Sequence, residues 1–420
     1  MRNIHSRKRV LALLLLCLTL LTVVGCSGQS SGTEQSSDKN SETEAKESTS
    51  MTTEKETEAV LPKCTGVFAG TANFDTFVKR NGRTFFSERA RAEYFNYSLS
   101  GFSFRFYGTG AEANLVSGLG NGTTDKNAIL YVYIDDMTAP AKQITLNESS
   151  AWYVLAENLP EGEHIVTVSK RTDISYSNAG IKELRIQGSE AATLLEKSAA
   201  KERKIEFLGD SITSGDGVLA TAGEGGYVSQ YQDAHYSYAK VTADYFGADC
   251  QLVSRCGLGL VWNSSQKAPE DGGVSLPMIY PYANYYDDSK KTEWDFSSFD
   301  ADIIVINIGT NDRKQATAST EGKARWKETY VQFLKTVRAK NPETPILCCY
   351  GSMIDDADLG LEAIVKQVTD EGMTDVYYLR LPKNNIREFG FGVGNHPTIK
   401  KQKYDAEEYL IPKIKEIMGW

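Results

Sequence analysis

The apolar positions of this chain follow two regimes that meet near residue 200. Between residues 63 and 190 they recur every second residue. Phe102, Phe104 and Phe106 alternate with Ser103, Arg105 and Tyr107, which predicts a strand with one buried face. Ile129 to Ile134 is apolar on both faces and runs into an Asp-Asp turn. Further strands are predicted over 163–169, after the Leu159-Pro160-Glu161-Gly162 turn, and over 181–186. Short strands separated by turn residues, with no convincing helix among them, predict a β-sandwich. Such a domain either binds a glycan itself or packs beside its neighbour and shapes a cleft. Residues 187–204, polar and alanine-rich, predict a short linking helix.

From Lys204 onward the pattern changes. Apolar runs over 204–208, 251–254, 303–308, 345–350 and 376–379 predict strands, and segments with helical spacing lie over 236–246, 323–339, 359–368 and 405–418. Pro412 is expected to perturb the last of these helices. The run 303–308 is the most hydrophobic strand, as expected of a central parallel strand covered on both faces. Alternating strands and helices over residues 203–420 predict a three-layer α/β domain with a parallel sheet. Residues 264–298 show no clear helix but carry Tyr280, Tyr282, Tyr285, Tyr286 and Trp294, the pattern of a functional loop.

The amino end belongs to neither regime. Arg2, Arg7, Lys8 and Arg9 precede an apolar run over residues 10–24 and then Gly25-Cys26. A basic flank and a short apolar stretch predict a secretory signal over residues 1–26 rather than a full membrane span. Residues 27–62 are almost wholly polar and lack any aromatic side chain, so a disordered tether is expected. The 46 Lys and Arg against 55 Asp and Glu argue against nucleic acid as the main partner. Beyond residue 26 five cysteines remain, Cys64, Cys250, Cys256, Cys348 and Cys349, with no zinc-binding spacing. A Cys250–Cys256 bridge is open in an exported chain. No Cys or His cluster calls for a metal, and no cofactor is expected.

Candidate chemistry gathers at the ends of the predicted parallel strands. Ser211 follows the first strand in Gly209-Asp210-Ser211, Gly259 follows the second, and Asn311 follows the third in Gly309-Thr310-Asn311-Asp312. His396 precedes the final helix in Gly394-Asn395-His396-Pro397. Ester hydrolysis needs a nucleophile, a base to take its proton and donors for the developing oxyanion. Ser211 and His396 suit the first two roles. The N–H groups of Ser211 and Gly259 and the Asn311 side-chain amide suit the third, with Gly257 as the alternative to Gly259. Trp262 fits both a sugar-stacking platform and ordinary core packing. Asp210 and Asp312 each adjoin one of these groups and are expected to hold their turns by local hydrogen bonds.

Phe207-Leu208-Gly209-Asp210-Ser211, the turn Gly257 to Gly259, Gly309-Thr310-Asn311-Asp312 and His396-Pro397 resemble, in residues, order and spacing, the four blocks of SGNH (GDSL-type) hydrolases. A jelly-roll-like sandwich ahead of such a domain, with the Gly257-Leu258-Gly259-Leu260-Val261-Trp262-Asn263 stretch, is similar to carbohydrate esterase family 2. The resemblance implies a serine esterase that removes acetyl groups from plant polysaccharides such as xylan or glucomannan, through Ser211 and His396. SGNH enzymes generally place Asp three residues before the catalytic His, where Val393 stands here. Family 2 esterases often lack that carboxylate and use a backbone carbonyl to orient the imidazole. Val23-Val24-Gly25-Cys26 resembles the lipobox of bacterial lipoproteins, which implies a lipidated Cys26 and a protein tethered outside the cell. A lipase-like or cell-wall-directed esterase and a non-catalytic carbohydrate-binding lipoprotein are the rival functions.

Overall fold

The computed structural model describes residues 62–118, 123–221, 225–286, 291–354 and 359–420. The signal segment with Cys26 and residues 27–61 of the tether lie outside the described residues. Strand Gly101–Gly108 shows how the period-two pattern is used. Phe102, Phe104 and Phe106 are buried on one face and pair across to Val168, Val166 and His164 of strand Gly162–Lys170. That sheet continues to Ile129–Ile134 and Lys142–Thr145 on one side, and to Thr193–Leu195 and Val78–Asn81 around Gly101–Gly108. The second sheet runs Thr84–Ser87, Ala92–Phe95, Ala179–Gln187, Gly110–Ser117, Ser150–Ala156, with Gly66–Phe68 beside Ala179–Gln187. All pairings are antiparallel, and the inner faces meet in one core of Phe95, Phe104, Leu115, Val166 and Leu184 among others.

Two details differ from expectation. Residues 187–204 form no helix; Thr193–Leu195 instead adds a strand to Gly101–Gly108, with Leu194 opposite Phe106. Burial of Leu194 in the sandwich core overrides the alanine-rich helical propensity of the segment. Conversely a six-residue helix, Ala72–Phe77, is capped by the Thr71 hydroxyl and buries Phe74 and Phe77. One and a half turns are too few to print a period.

The parallel sheet comprises β1 (Lys204–Gly209), β2 (Asp249–Ser254), β3 (Ile303–Asn307), β4 (Ile346–Tyr350) and β5 (Val376–Arg380), in the order β2-β1-β3-β4-β5. β1, β3 and β4 bury both faces almost throughout, and the edge strand β5 is only partly covered. On one side Ile304 and Ile306 pack on Trp326, Tyr330, Phe333 and Val337 of helix Thr320–Lys340, and on Ile364 and Val368 of helix Leu361–Asp370. On the other, Phe207 and Val305 pack on Ala239 and Ala243 of helix Tyr238–Tyr245 and on the carboxy-terminal Leu410 and Ile414. This is the three-layer arrangement that a doubly covered hydrophobic sheet requires. The expected helix 405–418 is longer and interrupted: Ile399–Asp405, a wide π turn Ala406–Leu410, then Ile411–Met418. Pro412 has no N–H to continue the ladder, so the backbone widens ahead of it and restarts with proline in the first turn.

Leu61 to Trp420 form one compact unit. Its two halves are joined by charge buried in both. Arg83, from the sandwich, donates through Nη2 to Glu206 Oε1 on β1 at 2.9 Å, and through Nη1 to the carbonyls of Tyr280 and Tyr282. Glu206 also accepts from Gln251 Nε2 at 2.6 Å, and the rings of Tyr280, Trp294 and Phe296 surround the guanidinium at 5.1–5.2 Å. The aromatic stretch expected to be a functional loop is thus, in part, the packing around this pair. A second junction uses Arg171, which donates to the carbonyls of Ser229, Gln230 and Gln232. Beside it Tyr131 donates to Asp233 at 2.7 Å, and Tyr131 and Tyr133 pack on the His235 ring. That contact explains why Ile129–Ile134 is apolar on both faces.

Removing one member of a buried pair strands the other. Arg83→Met should destabilise the unit by about 3–5 kcal/mol in urea unfolding, and Arg83→Met with Glu206→Met should recover part of that loss.

Candidate active site

In the order β2-β1-β3-β4-β5 the chain leaves β1 in opposite directions, so β1 and β3 part at a topological switch point. Open α/β sheets form their crevice there, beyond the carboxyl ends of the strands. Ser211 and Asn311 lie two and four residues past the ends of β1 and β3. Ser211 is buried, and its carbonyl accepts the Asp216 N–H at 2.9 Å, closing the turn behind it. Asp210 anchors that turn: its Oδ1 accepts from Ile212 N–H at 3.0 Å and its carbonyl from Ser214 N–H at 3.0 Å.

His396 is delivered by a short turn, Val393–Asn395, just before the Thr398-capped helix Ile399–Asp405. Gly394 adopts φ +59°, and a Cβ there would strike the Tyr227 hydroxyl, so the turn requires glycine. The imidazole lies 2.7 Å from Ser211 Oγ through Nε2 and 2.6 Å from the Val393 carbonyl through Nδ1. A carbonyl only accepts, so Nδ1 carries the proton and the Nε2 lone pair faces the serine hydroxyl. The residue where a carboxylate is missing therefore orients the ring with its backbone.

The second turn differs from expectation. Gly257, not Gly259, lines the cleft. The Asp312 carboxylate accepts three consecutive backbone N–H groups of the second turn, Leu260, Val261 and Trp262, at 2.7–2.8 Å. Gly259 lies against this carboxylate; a Cβ there would meet the Trp262 carbonyl at 1.9 Å and Asp312 Oδ2 at 2.8 Å. Its glycine serves the staple, not the cleft. Asp312 thus holds a neighbouring turn rather than its own. Asn311 lines the cleft, and its Nδ2 donates to the Leu258 carbonyl at 2.7 Å, which fixes the plane of the amide. Trp262 is half-buried against the α/β core with the Arg325 guanidinium 5.2 Å from its ring, and it does not line the cleft.

The cleft measures about 350 Å³. The sandwich supplies one wall, through Lys126, Ser175 and Tyr176, and the segment after β1 supplies Tyr227, whose ring stands edge-on to His396 at 6.0 Å. None of these was singled out from the sequence, since no motif marks them and only docking of the two halves brings them together. The Cys250–Cys256 bridge does not form. All five described cysteines are free. Cys250 sits within β2, and the six residue steps from it to Cys256 span roughly 20 Å when extended. Cys348 and Cys349 are buried in β4. Among the described residues no group of three or more His, Cys, Asp or Glu is placed to hold a metal.

With this geometry in view, the family follows from comparison with known proteins. A family model described as "Carbohydrate esterase 2 N-terminal" matches residues 80–195. One described as "GDSL-like Lipase/Acylhydrolase family" matches residues 207–384. The amino-terminal model and the solved relatives are those of carbohydrate esterase family 2. It is 30% identical over 337 residues to the cellulase/esterase CelE of Acetivibrio thermocellus, covering 77% of this chain but only 38% of that protein's length. It is 26% identical to an acetylxylan esterase / glucomannan deacetylase of Cellvibrio japonicus, covering 82% of this chain and 90% of that one. A family two carbohydrate esterase from Clostridium thermocellum, solved in complex with cellohexaose, superposes with a TM-score of 0.71 at 28% identity, covering 82% of this chain and 99% of that one. The sandwich plus GDSL-type domain is the family 2 architecture.

Two buried carboxyls under the site carry a pH signature. Burial pushes Asp210 up to about 7, against the pull of Ile212 and Thr310, and pushes Asp312 up to about 6 against its three N–H donors. A carboxyl raised above its unfolded value, near 3.9, favours folding below that value and loses the advantage as pH rises through its folded pKa. Asp210→Asn should therefore gain stability relative to wild type between about pH 4 and pH 7, by a few kcal/mol, in urea midpoints compared at pH 4 and pH 8.

Proposed function

We propose that this protein is a serine carbohydrate esterase that releases acetate from O-acetylated plant polysaccharide, xylan or glucomannan, through a Ser211–His396 dyad. The observation that carries the proposal is the continuous contact from the Val393 carbonyl through the imidazole to the Ser211 hydroxyl. His396 Nε2 takes the proton as Ser211 Oγ attacks the acetyl carbonyl carbon. The N–H groups of Ser211 and Gly257 and the Asn311 amide surround the oxygen that becomes negative. Collapse of this intermediate breaks the bond to the sugar oxygen, which leaves with the proton from His396. Water, deprotonated by the same imidazole, then attacks the acetyl-serine, releases acetate and restores the hydroxyl.

The acetyl-polysaccharide reading draws support from the name of the Cellvibrio relative and, for a β-linked glycan backbone, from the cellohexaose bound to the Clostridium relative. The word cellulase in the name of CelE belongs to a protein whose length this chain spans by 38%, and it is not carried over. The lipoprotein-like residues 1–26 fit a protein tethered through Cys26 to the outer face of a bacterial membrane, where polymeric glycans are met.

Acetate release from acetylated xylan, acetylated glucomannan, cell-wall glycan and longer acyl esters tests the reading. The acetylated plant glycans should be preferred, and Ser211→Ala should lose about 10⁴-fold or more in kcat on them. Full activity of Ser211→Ala would overturn the dyad, and preference for long acyl chains would favour a lipase-like enzyme.

A further inference from the structure

When His396 accepts the proton of Ser211 it becomes an imidazolium. The Val393 carbonyl gives that ring a direction and a dipole, but no net charge. A triad aspartate would supply both. Asp216 lies five residues beyond Ser211, with its N–H on the Ser211 carbonyl and its side chain buried. Its Oδ1 accepts from the Tyr176 hydroxyl at 2.6 Å and its Oδ2 from the Cys256 thiol at 3.0 Å. Tyr176 and Cys256 line the same cleft as Ser211 and His396. Among the described residues Asp216 makes no hydrogen bond to the imidazole, so it takes no part in setting the ring's angle.

Resting on the dyad reading above, we propose that Asp216 is a positioning residue for charge: a buried carboxylate that stabilises the His396 imidazolium through space, held in place by Tyr176 and Cys256. Both of its oxygens face donors, the pattern that satisfies an ionised carboxylate. Burial and the adjoining carboxylates push the Tyr176 hydroxyl and the Cys256 thiol well above their ordinary ranges, so both stay protonated and keep donating. Burial raises the Asp216 carboxyl itself, and the His396 charge is the strongest influence opposing that rise, ahead of the two hydrogen bonds. Of the other charged groups nearby, Asp173 acts on Asp216 by repulsion, and Lys126 lies 5.0 Å from the Tyr176 ring. Because Tyr176 belongs to the sandwich, that domain contributes to the charge arrangement as well as to the cleft wall.

Asp216→Asn keeps the shape and an acceptor oxygen for Tyr176 while deleting the charge. In the full chain, on acetylated xylan, kcat should fall about tenfold to a hundredfold with KM nearly unchanged. Loss of a nearby negative charge lowers the pKa of a histidine, so the acidic limb of the kcat/KM profile should move to lower pH by about one unit. The His396 ring titration followed by NMR should move the same way, with no need for turnover. A merely structural role would lower activity without moving either midpoint. Unmoved midpoints, or a kcat within about threefold of wild type, would overturn the proposal. If Asp216→Asn fails to fold, Tyr176→Phe, which removes one donor and so weakens the ionised carboxylate, should shift both midpoints in the same direction by less; no shift there would equally overturn it. Wild-type acetate release measured alongside reports on the esterase reading itself, so the two fail separately.

Discussion

The hydrogen bond from His396 Nδ1 to the Val393 carbonyl is the constraint on which the site depends. It selects one of two tautomers and leaves the Nε2 lone pair directed at Ser211 Oγ, 2.7 Å away. In triads built around an aspartate, loss of that carboxylate costs roughly 10⁴ in turnover, largely because the wrong tautomer forms. Here the backbone performs the orienting task. The same carbonyl also accepts the His396 N–H at 3.0 Å, so the loop and the ring are fixed by one atom. A carbonyl cannot be protonated in the working range, so this orientation does not titrate. What it lacks is net charge, and Asp216 is a buried carboxylate with donors on both oxygens, from two residues that line the same cleft.

The second constraint is the junction between the sandwich and the α/β domain. Arg83 reaches β1 through Glu206, three residues before the end of the strand that presents Ser211. Arg171 and Tyr131 grip the 229–233 segment, which returns toward the same cleft with Tyr227. The Ser211 turn and the cleft wall therefore rest on contacts buried between two domains. Buried ion pairs add little net stability over apolar packing but are costly to break singly, which fixes one docking geometry against alternatives.

Much of this was legible in the sequence because it obeys simple periodicities. The alternation at Phe102, Phe104 and Phe106 marked a one-sided strand, and the 303–308 run marked a doubly covered one. Ser211, Asn311 and His396 could be placed at sheet ends by the turns around them, and the structure brings their side chains to one cleft. At the second turn the structure puts Gly257, not Gly259, in the cleft lining, and Gly259 packs against Asp312, which accepts the next three N–H groups. Trp262 followed its backbone into that staple and onto Arg325. Tyr176, Lys126 and Tyr227 carried no signal, since their positions depend on how two separately patterned domains dock. The helix expected over 187–204 failed because Leu194 had a core to enter.

The most direct test is the protonation pattern of the His396 ring in the resting protein. With ¹⁵N-labelled histidine and assignment by a His396 variant, the nitrogen shifts above the ring's titration should show a protonated Nδ1 and a bare Nε2. A ring protonated on Nε2 instead would leave Ser211 without a base and contradict the account.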